Sequence, residues 1–90
     1  MTNLINYSQI YFEEVSMTIH NAVVNTILSF KDPFTYAELL EKLRMHPEID
    51  WTNDEIQSQV LEKIQEIFEY PSIKVVPFSH PIKYYMESIL

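Results

Sequence analysis

The sequence predicts a mainly α-helical fold with a small C-terminal β-hairpin, and three observations lead to this prediction. Three segments carry apolar residues at helical spacing. Two of these segments begin with matching capping patterns, and the last part of the chain is rich in β-branched and aromatic residues. No stretch of linker-like composition divides the 90 residues, so we expect one domain over residues 1–90.

The first helix is predicted over residues 8–30. Its main apolar stripe follows the i, i+3, i+4, i+7 rule and consists of Phe12, Val15, Ile19, Ala22, Val23, Ile27 and Phe30. Further apolar residues lie off this stripe, namely Ile10, Met17, Val24 and Leu28. A helix that is apolar around so much of its circumference is either central to the core or shared with a second copy of the chain, and both alternatives stay open.

The second helix is predicted over residues 36–45. Thr35 and Glu38 have the spacing of a capping box, and Phe34 and Leu39 have that of the accompanying hydrophobic staple. The helix should end before Pro47, because the residue preceding a proline is disfavoured in helical conformation. Its predicted buried residues are Tyr36, Leu39, Leu40 and Leu43.

The third helix is predicted over residues 53–69, and its start repeats the same pattern. Thr52 and Glu55 form the predicted capping box, with Trp51 and Ile56 as the staple. Pro71 sets its end. Its predicted buried residues are Ile56, Val60, Leu61, Ile64, Ile67 and Phe68.

The C-terminal segment changes character. Residues 72–77 are rich in β-branched side chains, residues 82–86 alternate with aromatic side chains, and a short connection joins them, which favours a β-hairpin. The alternative is a fourth helix over residues 81–90, capped by Ser79.

Composition and charge argue against several kinds of functional site and several classes of partner. The chain has no glycine and no cysteine, which argues against phosphate-binding glycine loops, disulfides and thiolate chemistry. Thirteen acidic residues against six basic ones give a net charge of −7. This charge disfavours nucleic acid and anionic lipid as partners and favours a protein partner, in particular one with a basic surface. No membrane span or secretory signal is recognised, so a cytoplasmic location is expected.

No pattern of residues indicates catalysis. The three histidines, His20, His46 and His80, fall in three different predicted elements without the spacing of metal ligands. The serines lack the glycine-containing turn of a nucleophile elbow. We therefore expect no enzyme activity, no cofactor and no metal.

The order of elements resembles that of the winged-helix variant of the helix-turn-helix fold. In this resemblance the segment 34–40 opens the first helix of the unit, residues 53–69 take the place of the recognition helix, and residues 73–86 form the wing. The connection over residues 45–52, with Pro47 and Trp51, is longer than the usual tight turn. The resemblance implies DNA binding.

The charge of the third helix argues against that implication. On a helical wheel four glutamates lie together opposite the predicted core: Glu55, Glu62, Glu66 and Glu69. With Asp54 they make five carboxylates against Lys63 alone, a net of −4, where a groove-reading helix needs basic and amide side chains. One interpretation is a solvated face; the other is a surface that docks on a basic protein, in a narrower form as a DNA mimic that blocks a nucleic-acid-binding protein.

The sequence thus favours a small regulator or inhibitor that works through protein–protein contacts. The alternative is a DNA-binding transcriptional regulator that uses Lys74 and Lys83 of the wing and forms a dimer through the first helix.

Overall fold

The computed structural model describes the backbone of residues 7–87 and the side chains of residues 14–87. Three helices and three short strands follow one another as α1 Tyr7–Leu28, β1 Phe34–Thr35, α2 Tyr36–Arg44, α3 Asp54–Phe68, β2 Ile73–Val75 and β3 Lys83–Met86. The fold is therefore mainly α-helical with a small β part, as predicted, and it is compatible with a winged-helix arrangement.

The C-terminal segment is a β-hairpin, and the alternative of a fourth helix beginning at residue 81 is wrong. β2 pairs with β3 in antiparallel register, with Val75 opposite Tyr84 and Ile73 opposite Met86. The hairpin joins a third strand that the sequence did not indicate, since β1 pairs with the other edge of β3 and places Phe34 opposite Tyr84. The sheet order is β1-β3-β2, so this pairing ties the start of α2 to the hairpin.

The capping box of α2 is present as predicted. The Thr35 hydroxyl accepts a hydrogen bond from the Glu38 N–H at 3.1 Å, and a Glu38 carboxylate oxygen accepts one from the Thr35 N–H at 2.9 Å. The hydrogen bond from the Thr35 N–H favours the charged carboxylate and lowers the pKa of Glu38, with further lowering by the Thr35 side chain and by the nearby charges of Lys83 and Lys42. The helix ends at Arg44 with Met45 as C-cap, ahead of Pro47.

The predicted cap of α3 is wrong by one residue. Asn53, and not Thr52, is the N-cap, and its side-chain oxygen accepts hydrogen bonds from the N–H groups of Glu55 and Ile56. Thr52 instead donates its hydroxyl to Asp50 at 2.5 Å within the preceding turn. The helix accordingly runs from Asp54 to Phe68 inside the expected 53–69 range.

The core lies where α1, α2 and α3 meet the inner face of the sheet. Its buried apolar side chains are Ile19, Ala22, Val23, Ile27, Phe34, Leu39, Leu43, Ile49, Val60, Ile64 and Ile67. The α1 stripe is thereby confirmed from Ile19 to Ile27, with Val15 and Phe30 partly buried beside it. The side chains of Ile10 and Phe12 lie outside those described.

Two predicted core residues are exposed. Tyr36 is 40% exposed because it opens α2 at the margin of the core, where its ring meets Phe68 edge-on at 6.3 Å. Leu61 is 41% exposed and lies outside the buried stripe of α3 formed by Val60, Ile64 and Ile67. Leu40, Ile56 and Phe68 are partly buried and pack against the core.

Aromatic rings join the helices to the sheet. Phe34 stacks on Phe30 with ring centroids 4.5 Å apart, and Phe68 of α3 lies 4.6 Å from Tyr84 of β3. Phe34 and Tyr84 are themselves 6.3 Å apart. These contacts fix the hairpin against the C-terminal end of α3 and so set the position of the wing relative to that helix.

Within residues 7–87, no helix has both the length and the apolar content needed to cross a lipid bilayer.

Candidate protein-binding surface

The exposed face of α3 carries a line of carboxylates, which we call the acidic ridge and define as Glu55, Glu62, Glu66 and Glu69. All four residues are exposed. The opposite face of the helix holds Val60, Ile64 and Ile67, which are almost completely buried. Because the two sets occupy opposite sides of one helix, burial of the core stripe fixes the ridge outward. Glu69 follows Glu55 by fourteen positions, so the ridge is about 21 Å long at a rise of 1.5 Å per residue.

One lysine partly offsets the charge of the ridge. The Lys63 Nζ atom lies 3.2 Å from a Glu66 carboxylate oxygen, one turn along the helix. The Lys63 side chain is mostly covered, whereas that of Glu66 is 56% exposed. A pair of this kind at the surface contributes little to stability, and Glu66 keeps much of its surface accessible to another molecule.

The ridge borders a small cleft between α3 and α1. Gln59, Glu62, Lys63 and Glu66 line it from α3, and Ser16 and Ile19 line it from α1. Its volume is about 210 Å³. The surface next to the ridge is thus concave and mostly polar, which suits hydrogen-bonding side chains of a partner better than an apolar ligand.

The effect of each acidic residue on the stability of α3 depends on its position along the helix. Asp54 and Glu55 lie in the first turn, where a negative charge is stabilised by the helix dipole. Glu66 is near the other end, Glu69 is the C-cap, and no basic residue lies in the last turn. Negative charge at that end is unfavourable for the helix. Local helix stability therefore accounts for Glu55 but not for Glu66 and Glu69.

The two wing lysines are each close to a carboxylate. The Lys74 Nζ atom lies 3.7 Å from a carboxylate oxygen of Glu87, and both side chains are substantially exposed. Lys83 is exposed on β3, opposite Thr35, and its charge contributes to lowering the pKa of Glu38 after the two hydrogen bonds from Thr35. The two lysines lie on the same hairpin, but the carboxylates beside them offset their charge, so they do not form a basic patch.

The histidines are not brought together. In the part of the chain with described side chains, no group of three or more histidine, aspartate, glutamate or cysteine residues has the geometry to hold a metal ion. His46 instead accepts a hydrogen bond at Nδ1 from the Glu48 N–H at 3.1 Å, within the loop after α2.

One feature of the surface was not predicted from the sequence. Phe78, in the loop between β2 and β3, is 98% exposed and has a φ of 60°. A phenylalanine between Pro77 and Ser79 gave no signal beyond an apolar residue in a turn. Since the chain has no glycine, a left-handed position in this loop has to be taken by a residue of another type, and sequence patterns do not show which one.

No family model, no curated protein and no solved structure matches this chain.

Proposed function

We propose that the protein is a non-enzymatic binding module that docks on a basic surface of another protein through the acidic ridge. Occupancy of that surface would recruit or block the partner, so the module acts as a small regulator or inhibitor. The observation that carries the proposal is the row of four exposed carboxylates on the helix that a winged-helix protein would present to DNA.

The placement of the charges supports a role in binding. Glu66 and Glu69 work against the dipole of α3, and the salt bridge from Lys63 reaches Glu66 alone of the ridge. We assign to these two carboxylates a contact with another molecule, because the stability of α3 gives little reason for them at that end of the helix. A basic partner would neutralise the ridge and would associate faster at low salt through electrostatic steering.

In its narrower form the proposal makes the ridge a mimic of nucleic-acid phosphates. The partner would then be a nucleic-acid-binding protein whose basic groove accepts the ridge in place of DNA or RNA. Competition by duplex DNA for the same partner separates this form from docking on a basic surface of any other kind.

The second candidate function is DNA binding, and the observation that favours it is the order of helices and strands. It would use Lys74 and Lys83 for phosphate contacts and a dimer formed through α1, on which Met17 is 67% exposed. Two lysines with Glu87 and Glu38 beside them offer little positive field, and the ridge would repel the phosphates. A gel-shift assay with duplex DNA at low salt decides this point, since binding that weakens steeply with salt would favour DNA over a protein partner.

The proposal is tested by comparing what three forms of the chain capture from cells of its source. The forms are wild type, the ridge double variant Glu62→Lys with Glu66→Lys, and a control double variant Glu41→Lys with Glu48→Lys. Glu41 and Glu48 are exposed residues outside the ridge, so the two variants change net charge equally. We expect a partner that wild type and control retain and that the ridge variant loses. Equal capture by all three forms would contradict the proposal.

A further inference from the structure

The tip of the wing presents a single aromatic side chain in a held loop. Ser79 locks the loop on both sides, because its hydroxyl donates to the Val76 carbonyl at 2.9 Å and accepts from the Lys83 N–H at 3.0 Å. The Val76 N–H also donates to the Lys83 carbonyl at 2.9 Å. Phe78 lies inside this closed loop and projects from it, 98% exposed.

Both the exposure and the backbone of Phe78 are unfavourable for the isolated chain. A bulky residue at a φ of 60° is strained, because its Cβ approaches the neighbouring backbone. The exposed ring gains nothing from burial in the chain itself. Strained residues concentrate where function requires a particular projection of a side chain, and a rigid exposed aromatic is the kind of residue that anchors interfaces.

An apolar cleft lies beside this loop. It has a volume of about 410 Å³, enough to admit a phenyl ring, and it runs between the C-terminal end of α1 and the sheet. Its apolar lining includes Ile27, Leu28, Phe30, Val76, Tyr85 and Met86. Leu28 is 59% exposed, and Val76 precedes Phe78 by only two residues.

We propose that the occupant of this cleft is Phe78 of a second copy of the chain, in a dimer in which each wing tip inserts into the cleft of the other copy. A two-fold interface requires one patch that is complementary to itself. The aromatic ring and the cleft meet this requirement because they lie side by side on the same end of the molecule.

The charge distribution favours this end for self-association. The chain carries a net charge of −7, so two copies repel each other, most strongly where the acidic ridges approach. The charged residues that line the cleft are Lys31 and Asp32, which offset each other. Residues 71–87 contain Lys74 and Lys83 against Glu87, a net of +1. Two copies that meet at their wings therefore bring together segments of small net charge, and repulsion between them is weaker there than between two acidic ridges.

The test is sedimentation equilibrium of the full chain over a range of concentrations up to near-millimolar. We expect the average mass to rise from 10.7 kDa towards twice that value and to stop there. Phe78→Asn removes the ring, and Leu28→Glu places a charge in the cleft without opening the core. Each substitution should weaken association and raise the dissociation constant of the dimer at least tenfold. The control Met17→Glu, on an exposed part of α1 outside the cleft, should leave it unchanged.

Mixing the two variants separates the proposed contact from general damage. A mixed dimer of Phe78→Asn and Leu28→Glu chains keeps one intact contact, from the ring of the second chain to the cleft of the first. The mixture should therefore associate more tightly than either variant alone. The proposal is overturned if wild type is monomeric, or if its mass grows beyond that of a dimer. It is also overturned if Met17→Glu abolishes the dimer while Phe78→Asn keeps it, or if the mixture associates no more tightly than its components.

Discussion

Glu38 stabilises this fold, whereas Phe78 destabilises it. Glu38 lies in a favourable place, since its carboxylate closes the capping box with Thr35. Phe78 holds a backbone conformation that suits asparagine or glycine and leaves its ring in solvent. A chain without glycine has to place some other residue at such a turn.

Phe78→Asn should therefore stabilise the monomer. We expect the free energy of unfolding to rise by about 0.5–1 kcal/mol, because asparagine tolerates the left-handed region better than phenylalanine does. Urea unfolding followed by circular dichroism, at a concentration where the chain is monomeric, measures this. Phe78→Ala is the matched control, since it removes the ring but keeps a Cβ, and it should give no such gain. A Phe78→Asn chain less stable than Phe78→Ala would contradict the strain at this position.

Glu38 should give the stability of the protein a pH dependence. Its pKa is lower in the folded state than the ordinary value of 4.5, so its contribution is complete above that pH and is lost as the pH falls through the folded pKa. Glu38→Gln keeps a hydrogen-bond acceptor at the same position but does not titrate. The stability advantage of wild type over this variant should be largest near neutral pH and should shrink below pH 4.5. An advantage that is constant from neutral to acid pH would exclude this role for the carboxylate.

Among the elements, α2 and α3 show how far capping patterns can be read from sequence. At Thr35 the threonine is followed directly by the helix, and the predicted box forms. At Thr52 the same spacing fails because two better acceptors flank the threonine: Asp50 takes its hydroxyl hydrogen, and Asn53 caps the helix. Threonine is a weaker cap than asparagine, and the competition between neighbours in the turn decides which residue is used.

This difference predicts unequal effects of two neighbouring substitutions. Asn53→Ala removes the acceptor for the N–H groups of Glu55 and Ile56 and should lower the free energy of unfolding by about 1 kcal/mol. Thr52→Ala removes only the exposed contact to Asp50 and should have a smaller effect. Chemical unfolding of the two variants under the same conditions gives the comparison, and a larger loss for Thr52→Ala would reverse the assignment of the cap.

Only part of the sheet could be predicted from the sequence. The hairpin was predictable, since Ile73, Val75 and Tyr84 lie in runs of β-branched or aromatic residues bounded by prolines. β1 was not, because a strand of two residues has no periodicity. Its existence depends on Phe34, which is 1% exposed and packs against Phe30 and Tyr84. Such a strand is defined by its partners in the fold and not by its own residues.

Over the whole molecule, the distribution of charge was more predictable than the extent of the core. The wheel of α3 placed its carboxylates opposite the apolar stripe, and all four ridge residues are exposed. The helical wheel predicted Leu61 to be buried, but this residue is exposed. It lies at the side of the apolar stripe, where burial depends on which neighbouring elements cover the helix. The cleft beside the wing was also beyond the sequence, because residues from α1 and from the hairpin form it together.

If the acidic ridge is the docking surface for a protein partner, charge reversal on it should weaken that partner's binding. The most direct measurement is the dissociation constant of the captured partner, purified, for wild type, for Glu62→Lys with Glu66→Lys, and for the control Glu41→Lys with Glu48→Lys. Reversing two charges in contact with a basic surface should weaken binding by about 1–2 kcal/mol, roughly 5- to 30-fold, at low salt, and less at high salt. The control should stay within about twofold of wild type. Equal dissociation constants for the two double variants would contradict the claim.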